Sequence, residues 1–350
     1  MVVLGIETSC DETAAAVVED GRTVRSSVVF TQIALHQAYG GVVPEIASRS
    51  HLEKLPGVIA EAMERAAVGW DAIDAIAVTY GPGLASSLIV GLAAAKGLAL
   101  RLNKPLIGIN HLEAHIHSVF LKAGAPTDEE AYPLLALVVS GGHTCWVDCP
   151  QRGVYRVIGQ TLDDAAGEAF DKASKLLGLG YPGGPAIDKA AKLAQNPRGI
   201  AFPKGRPRAG NPALGSMQAE MCVSFSGLKT ALMYYVKSNP PTPESVPEVA
   251  AAYQEAIVDA LVDRCDVALN AARYRALAVG GGVSLNRRLR ERLTTLCASR
   301  GVKLLLAEPK DCGDNAAMIA GLAGTGCGVT GPSAFQLDVV PALGFGPENQ

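Results

Sequence analysis

The sequence lacks the features that would place it at once among nucleic-acid-binding, secreted or fibrous proteins. Its charges nearly cancel, with 31 Lys and Arg against 34 Asp and Glu, so it has no global basic field, although a local basic patch is compatible with this balance. Its eight cysteines are scattered without a CxxC pair, which predicts reduced cytoplasmic thiols rather than a disulfide framework. The 38 glycines and 21 prolines follow no short repeat, which indicates a turn-rich globular chain.

Segments that would direct the chain into or across a membrane are not expected either. The first residues, MVVLGIETSCDE, contain no basic stretch, so we expect no signal peptide. The most apolar run, residues 84–95, is bounded by Pro82 and Lys96 and is too short to cross a bilayer. Hydrophobic residues make up 49% of the chain, which supplies a sizeable core and excludes wholesale disorder.

The chain does contain an alternation of apolar strands and helices that starts twice with the same pattern. Residues 2–6 form a predicted strand, followed by a small polar turn and a second strand at 14–18. The pattern returns at 134–139, with the turn Ser140-Gly141-Gly142-His143-Thr144 and a strand at 145–147. Any α/β protein has a few such hairpins, but their spacing divides the chain into comparable halves and favours a duplicated architecture.

The strands and helices between the hairpins predict an α/β fold with parallel sheet in each half. We expect an N-terminal lobe at 1–131, completed by a helix that returns at about 313–340, and a C-terminal lobe at 132–312. Further strands are predicted at 75–79, 106–109 and 276–279, and helices at 51–67, 85–102, 169–177, 186–193, 246–272 and 286–300.

Three of the six histidines, His111, His115 and His117, fall within seven residues. Asn110 can cap a helix there, with Glu113 completing a capping box, so His111 and His115 share one face at i and i+4. Two imidazoles suit Zn²⁺ or Fe²⁺, and a carboxylate usually completes such a site. The alternative is a surface helix that happens to carry histidines. A zinc-protease helix is disfavoured, because Glu113 lies about 200° around the helix from His111 and points away from the site. His117 lies about the same angle from His115 and is not expected to join the two histidines.

Glycine-rich turns follow two of the predicted strands, at Ser140-Gly141-Gly142 and at Gly280-Gly281-Gly282. Bare backbone lets N–H groups close on phosphate oxygens or lets a nucleotide lie over a strand end. Each turn is common by itself. Together with the duplicated hairpin they predict a nucleotide cleft between two lobes.

Acidic residues flank several predicted helix starts. Four acids at 163–171 either complement a helix dipole or contact a ligand. Asp188 follows the rigid turn Tyr181-Pro182-Gly183-Gly184-Pro185 and can approach a ligand closely. Asp314 is either the cap of the following helix or a third metal ligand that the returning chain brings back, and spacing alone leaves both open.

Seven motifs, which span nearly the whole chain, resemble the catalytic subunit family of the tRNA threonylcarbamoyladenosine transferases (TsaD/Gcp type). They are GIETSCDET at 5–13, HLEAH at 111–115, VSGGHT at 139–144, DDAAGEAFDKASKLLGLGYPGG at 163–184, FSGLKT at 225–230, GGVSLN at 281–286 and CGDNAAMIA at 312–320. The one minor departure is Ala114, where the family often has glycine.

The resemblance implies an actin/sugar-kinase/heat-shock ATPase-like fold and one divalent metal, Fe²⁺ or Zn²⁺, held by His111, His115 and Asp314. It also implies a binding surface for threonylcarbamoyl-AMP or another adenine nucleotide, with Glu12 and Lys229 lining the same cleft. The residues of that surface are Val138, Val139, Ser140, Gly141, Gly142, Asp171, Gly184, Asp188 and Asn286.

The function that the resemblance implies is transfer of the threonylcarbamoyl group to N6 of the adenosine beside the anticodon, in tRNAs that read codons beginning with A, with release of AMP. The implied partners are tRNA, a paralogous noncatalytic subunit and a small ATPase, while self-association stays open. The alternatives are an ATP-dependent small-molecule kinase or a scaffold subunit of the same fold. Positive surface for tRNA could come from one loop, with Arg198, Lys204, Arg206 and Arg208. It could also come from a helix face with Arg287, Arg288 and Arg290, although that face could equally be ordinary solvated surface.

Overall fold

The computed structural model describes residues 1–207, 211–215 and 217–346. These form two compact units, one from Met1–Pro126 with Ala307–Gln350 and the other from Thr127–Leu306. We call them unit 1 and unit 2. Each has its own sheet and its own apolar core.

Unit 1 begins with the predicted hairpin, since β1 and β2 pair antiparallel. Its five-stranded sheet has the order β3-β2-β1-β4-β5, and β1, β4 and β5 run parallel, so their carboxyl ends meet at one edge. The strands are β1 Val2–Glu7, β2 Glu12–Glu19, β3 Thr23–Thr31, β4 Ala75–Gly81 and β5 Leu106–Asn110; the helices of this part are α1 Ile33–His36, α2 Pro44–Ala66, α3 Ala85–Leu102 and α4 His111–His117.

Unit 2 repeats this topology with the order β10-β9-β6-β7-β8. Its first three strands are again antiparallel neighbours, and β6, β9 and β10 are parallel. The duplicated α/β architecture is therefore confirmed. The strands are β6 Leu134–Val139, β7 Thr144–Gln151, β8 Val154–Gln160, β9 Ala276–Gly280 and β10 Lys303–Leu306; the helices are α5 Asp128–Ala131, α6 Ala166–Leu176, α7 Gly183–Ala191, α8 Ser226–Ser238, α9 Ser245–Ala271 and α10 Arg287–Arg300.

After β10 the chain returns to unit 1 with α11 (Ala316–Ala323) and α12 (Pro332–Gln336). All eight residues of α11 are buried, and they complete a core layer with side chains of β1 and β2. A Cβ at Gly5 would lie 2.5 Å from the carbonyl oxygen of Ala316, so glycine is needed for β1 and α11 to pack this closely.

One helix, α3, is long and apolar enough to cross a membrane by length and composition alone, with a mean hydropathy of 1.4 over 18 residues. The apolar segment is thus longer than the 84–95 run considered in the sequence. Core helices of globular proteins pass the same test, and α3 packs against β4 and α2 through Leu88, Leu92, Ala95 and Ala99.

The cysteines behave as expected of packing residues. All eight are free thiols. Cys145 and Cys149 lie on β7 and are buried, and burial raises the pKa of Cys145 to about 12. A thiol with that pKa stays protonated at neutral pH and is a poor nucleophile.

Candidate functional site

Helix α4 carries the two histidines that were expected to share a face. Asn110 caps it by accepting the N–H of Leu112 at 2.9 Å. The predicted capping box is wrong, because Glu113 accepts the N–H of Gly346 instead. The rings of His111 and His115 meet edge to face with centroids 4.6 Å apart. Both are buried, at 4% and 0% exposure, so a surface helix with incidental histidines is excluded.

Asp314 faces these two rings from the segment before α11. Its Oδ1 lies 3.1 Å from Nε2 of His115 and 3.5 Å from Nε2 of His111. Asn315, not Asp314, caps α11, since its Oδ1 accepts the N–H of Met318. The capping alternative for Asp314 is therefore wrong. Its side chain keeps 19% exposure, which leaves the cluster open to solvent on this side.

The three candidate ligand atoms all lie within 4.8 Å of one another. Two imidazole nitrogens and one carboxylate oxygen are the donor set of many Zn²⁺ and Fe²⁺ sites. Two of the three separations, 3.1 and 3.5 Å from Oδ1 of Asp314 to the two ring nitrogens, show that the donors face one common point. The residues present therefore fit the divalent metal that the resemblance implies.

Glu7, at the end of β1, is a residue of this site that sequence reasoning missed. It is fully buried, and its Oε2 lies 2.9 Å from Nδ1 of His111. The same oxygen accepts the hydroxyl of Thr79 at 2.6 Å, and Oε1 accepts the N–H of Ser9. The available signal was a carboxylate that ends an otherwise apolar strand, where burial requires partners.

Two further ring nitrogens, Nδ1 of His115 and Nε2 of His117, have surroundings unlike those of Nδ1 of His111. Nδ1 of His115 is buried without a hydrogen-bond partner among the described residues. Nε2 of His117 lies 2.9 Å from the carbonyl oxygen of Gly21, which holds that ring away from the cluster. This contact agrees with the prediction that His117 does not join the other two histidines.

Burial and charge compete at this cluster. Burial opposes the charged form of His111, but the carboxylates of Glu7 and Asp314 outweigh it and raise its pKa well above the ordinary value. Burial likewise opposes ionisation of Asp314, yet the nearby imidazoles hold its pKa well below the usual range. Burial, together with Asp314 and Asp11, raises the pKa of Glu12 well above the ordinary value. Negative charge is thus concentrated on Glu7 and Asp314.

In unit 2 the turn after β6 is closed on itself. The N–H of Ser140 donates to the carbonyl oxygen of His143 at 2.8 Å, and the Ser140 hydroxyl accepts the N–H of His143. Gly141 and Gly142 between them are exposed. A Cβ would meet no atom within 4 Å at Gly141, Gly142, Gly184 or Gly282. Packing inside the unit therefore does not require glycine at these four positions, and they leave bare backbone on the surface.

At three nearby positions, in contrast, packing inside the unit does require glycine. A Cβ at Gly183 would lie 2.4 Å from the carbonyl oxygen of Phe170, and one at Gly281 would lie 2.3 Å from that of Val139, with φ at +92°. A Cβ at Gly167 would lie 2.7 Å from the carbonyl oxygen of Ser140. These close approaches bring the turn after β6, the start of α6, the start of α7 and the end of β9 together.

Among the remaining predicted binding residues, some side chains are buried or already form hydrogen bonds, and one keeps an oxygen without a partner. Val138 and Val139 are fully buried on β6, so only their backbone can reach a ligand. Asp171 accepts the N–H of Gly183 at 2.6 Å. Asn286 caps α10 through the N–H of Leu289 and donates to Gln254. Oδ2 of Asp188 pairs with Lys192 at 3.2 Å, while its Oδ1 is buried without a partner in the described chain.

Asp163 has a role that its position did not suggest. Its Oδ1 accepts the N–H groups of Phe225 and Ser226, at 2.7 and 3.1 Å, and so caps α8 rather than the helix that follows it in sequence. Lys229 is half-buried one turn further along α8.

Most of the candidate tRNA-binding cations are paired inside unit 2. Arg198 contacts Glu255 and Asp259, at 2.6 and 3.0 Å, and Lys204 lies 3.7 Å from Asp259. Arg206 has no hydrogen-bond or ion-pair partner in the described part of the chain. Arg208 lies outside the described residues. On the helix, Arg287 pairs with Glu291, Arg288 with Glu255, and Arg290 donates to the Ser284 carbonyl oxygen.

Comparison with known proteins gives a consistent result. Residues 23–321 match a family model described as TsaD, tRNA N6-adenosine threonylcarbamoyltransferase. A protein of that name from Geobacter sp. (strain M21) is 48% identical over 344 residues, or 97% of this chain and 96% of the relative. Another, from Anaeromyxobacter sp. (strain Fw109-5), is 50% identical over 93% of this chain and 94% of the relative.

Solved structures resemble the chain in fold alone. Full-length HypF in its phosphate- and nucleotide-bound form matches with a TM-score of 0.59 at 13% identity, over 93% of this chain and 46% of HypF. Component A of the Acidaminococcus fermentans (R)-2-hydroxyglutaryl-CoA dehydratase matches with a TM-score of 0.54 at 11% identity, over 93% of this chain and 100% of that one. The predicted actin/sugar-kinase-like α/β fold is thereby confirmed.

Proposed function

The chain belongs to the family of tRNA N6-adenosine threonylcarbamoyltransferases, and on that premise we propose that it modifies the adenosine beside the anticodon in tRNAs that read codons beginning with A. The donor is threonylcarbamoyl-AMP. The N6 amine attacks the carbamoyl carbon, the bond from that carbon to the phosphate oxygen breaks, AMP leaves with the electron pair, and N6 loses a proton.

The observation that carries the proposal is the convergence of His111, His115 and Asp314 in a chain with these relatives. These residues would hold a divalent ion, Fe²⁺ or Zn²⁺, through the two Nε2 atoms and Oδ1. When bound, such an ion supplies Lewis acidity toward a phosphate or carbamoyl oxygen on which charge develops. Burial of both rings keeps them in place before substrate arrives, and the exposed edge of Asp314 leaves an approach for it.

The donor binds, we propose, to the bare backbone of unit 2. Exposed N–H groups at Gly141 and Gly142 suit phosphate oxygens, because nothing in the unit covers them with a side chain. The unpartnered Oδ1 of Asp188 suits a hydroxyl donor, and the ribose of an adenylate has two of these. Asp171 and Asn286 support this surface through the backbone that they hold.

Transfer RNA contacts, in this proposal, include Arg206, whose charge is not neutralised by a described neighbour and which lines a cavity of about 550 Å³ with Asn211, Ser224 and Ser226. The chain works in the cytoplasm with a paralogous noncatalytic subunit and a small ATPase, and a separate synthase supplies the donor. A small-molecule kinase would leave the two histidines and Asp314 without a task.

Reconstitution with tRNA, donor and partner subunits tests the proposal. We expect modified adenosine in digested tRNA, with one AMP released for each group transferred. His111→Ala is expected to abolish both in a variant that still folds, as judged by circular dichroism and a cooperative unfolding transition. Full activity of metal-stripped protein would remove the metal role, and phosphorylation of a small substrate by ATP without tRNA would favour the kinase.

A further inference from the structure

We propose that Glu7 is a positioning residue that fixes the tautomer of His111, so that Nε2 of this ring presents its lone pair to the metal. The proposal rests on the metal role of His111, His115 and Asp314. Glu7 itself does not belong to the set of converging ligand atoms, and it acts through the opposite ring nitrogen.

Three adjacent parallel strands build this arrangement at one sheet edge. Glu7 ends β1, Thr79 lies near the end of β4, and His111 directly follows β5. The strand order therefore places a carboxylate, a hydroxyl and an imidazole side by side before any ligand is present. The Thr79 hydroxyl and the Ser9 N–H donate to separate oxygens of Glu7, so the carboxylate is held in one orientation.

The tautomer is set by the donor and acceptor capacity of each atom. Both oxygens of Glu7 already accept hydrogen bonds, Oε1 from the Ser9 N–H and Oε2 from the Thr79 hydroxyl, so the carboxylate offers His111 an acceptor and no proton. Nδ1 of His111, at 2.9 Å from Oε2, must then carry the proton. A ring that binds a metal is neutral and has one N–H, so with the proton held at Nδ1 it is Nε2, on the side of Asp314, that gives its lone pair to the ion. The Ser9 hydroxyl, 3.2 Å from Nδ1, can donate or accept and imposes no tautomer.

His115 shows that this support is given to one ligand only. Its Nδ1 is buried without a partner in the described chain, whereas Nδ1 of His111 has a carboxylate. A carboxylate behind a ligating imidazole orients the ring and makes it a stronger donor. We therefore expect metal retention to depend on Glu7 through His111.

The test replaces Glu7 by its amide. In Glu7→Gln the amide can satisfy Thr79 and Ser9 only by presenting an N–H or a weaker acceptor to His111, so the proton can move to Nε2. The Zn²⁺-loaded protein is challenged with excess chelator, and we expect metal to leave about 10- to 100-fold faster than from wild type. Glu113→Gln, the same change on α4 outside the cluster, is the matched control and is expected to release metal at the wild-type rate.

Ring ¹⁵N NMR of His111 gives a second readout that a merely structural role would not move. Nδ1 is expected to be protonated in wild type with or without Zn²⁺, and to lose this preference in Glu7→Gln. A folded Glu7→Gln that keeps Zn²⁺ as wild type does, or a wild-type Nδ1 without a proton, overturns the proposal. If wild type binds no metal, the proposed function loses its metal role, while the metal-free spectrum still shows whether Nδ1 carries the proton that the contact with Glu7 requires.

Discussion

The turns that follow β1 and β6 occupy the same place in two sheets of the same order, yet they are chemically opposite. The first begins with buried Glu7 and ends at Glu12, beside Asp314. The second consists of Ser140, two exposed glycines and His143, with no carboxylate before Thr144. A duplicated topology thus supplies two equivalent positions, and the side chains make one suitable for a cation and the other for an anion.

The difference extends to the segment after the last strand of each sheet. In unit 1, β5 continues directly into α4 with its two histidines. In unit 2, β10 leads back to unit 1 and delivers Asp314 there. The candidate metal ligands therefore come from both chain segments of unit 1, whereas the strand ends of unit 2 present bare backbone.

The largest effect is expected from removing a candidate metal ligand of unit 1. His115→Ala should lose bound metal and slow transfer by about 100-fold or more, because a preorganised charge-stabilising group is lost. Metal content per chain and modified adenosine per tRNA measure the two effects. His143→Ala, in the turn after β6, should keep its metal. Loss of metal from this variant as well would contradict the assignment of the cation to unit 1 alone.

Asp311, in the segment that returns to unit 1, tests whether a further buried carboxylate lowers the stability of the folded chain. Both its oxygens are buried without a described partner, and burial raises its pKa to about 6. The folded chain therefore binds this proton more tightly than the unfolded chain, so stability falls as pH rises from about 4 to 6 and stays level above. Asp311→Asn should be more stable by about 3 kcal/mol at pH 8 and equal near pH 4, as measured by denaturant unfolding. An equal gain at both pH values would contradict an ionisation effect.

Gly183 and Gly184, which are adjacent on α7, allow a packing requirement to be distinguished from a ligand-binding role in unit 2. Gly184→Ala should keep or raise thermal stability, by up to about 1 kcal/mol of helix propensity, yet weaken donor binding because its Cβ covers bare backbone. Gly183→Ala should instead destabilise by about 1–3 kcal/mol, since its Cβ would meet Phe170. Unfolding temperature and the KM for the donor distinguish them. An unchanged KM for Gly184→Ala would remove that position from the binding surface.

The smallest effect concerns the cations of unit 2. Arg206→Ala should weaken tRNA binding similarly for all substrates and lower the salt slope of binding by about 1, as expected of one lost phosphate contact. Arg198→Ala should change that slope less, because its guanidinium is already paired with Glu255 and Asp259. Binding titrations at several salt concentrations measure both slopes; equal slopes would place the two residues in the same role.

Local patterns in the sequence predicted much of this arrangement. The i, i+4 spacing brought His111 and His115 to one face, and strand ends with small residues located both turns. The parts that failed depend on contacts between distant segments. Asp314 and Asn315 are both able to cap a helix, and only the fold decides which does. Glu7 finds Thr79 72 residues away, and Asp163 caps a helix about sixty residues on, which no window of sequence can reveal. The acidic partners of Arg198 and Arg288 lie on α9, more than thirty residues from either arginine in the chain.

The route of the chain through α11 sets an order of events during synthesis. The histidines are made early, but Asp314 and the helix that fills the second core layer of unit 1 emerge only after all of unit 2. A nascent chain that has not passed residue 307 can hold neither a complete ligand set nor a complete first unit. We therefore expect the proposed metal site to form late in maturation, and a chain terminated before Asp314 to bind no metal there.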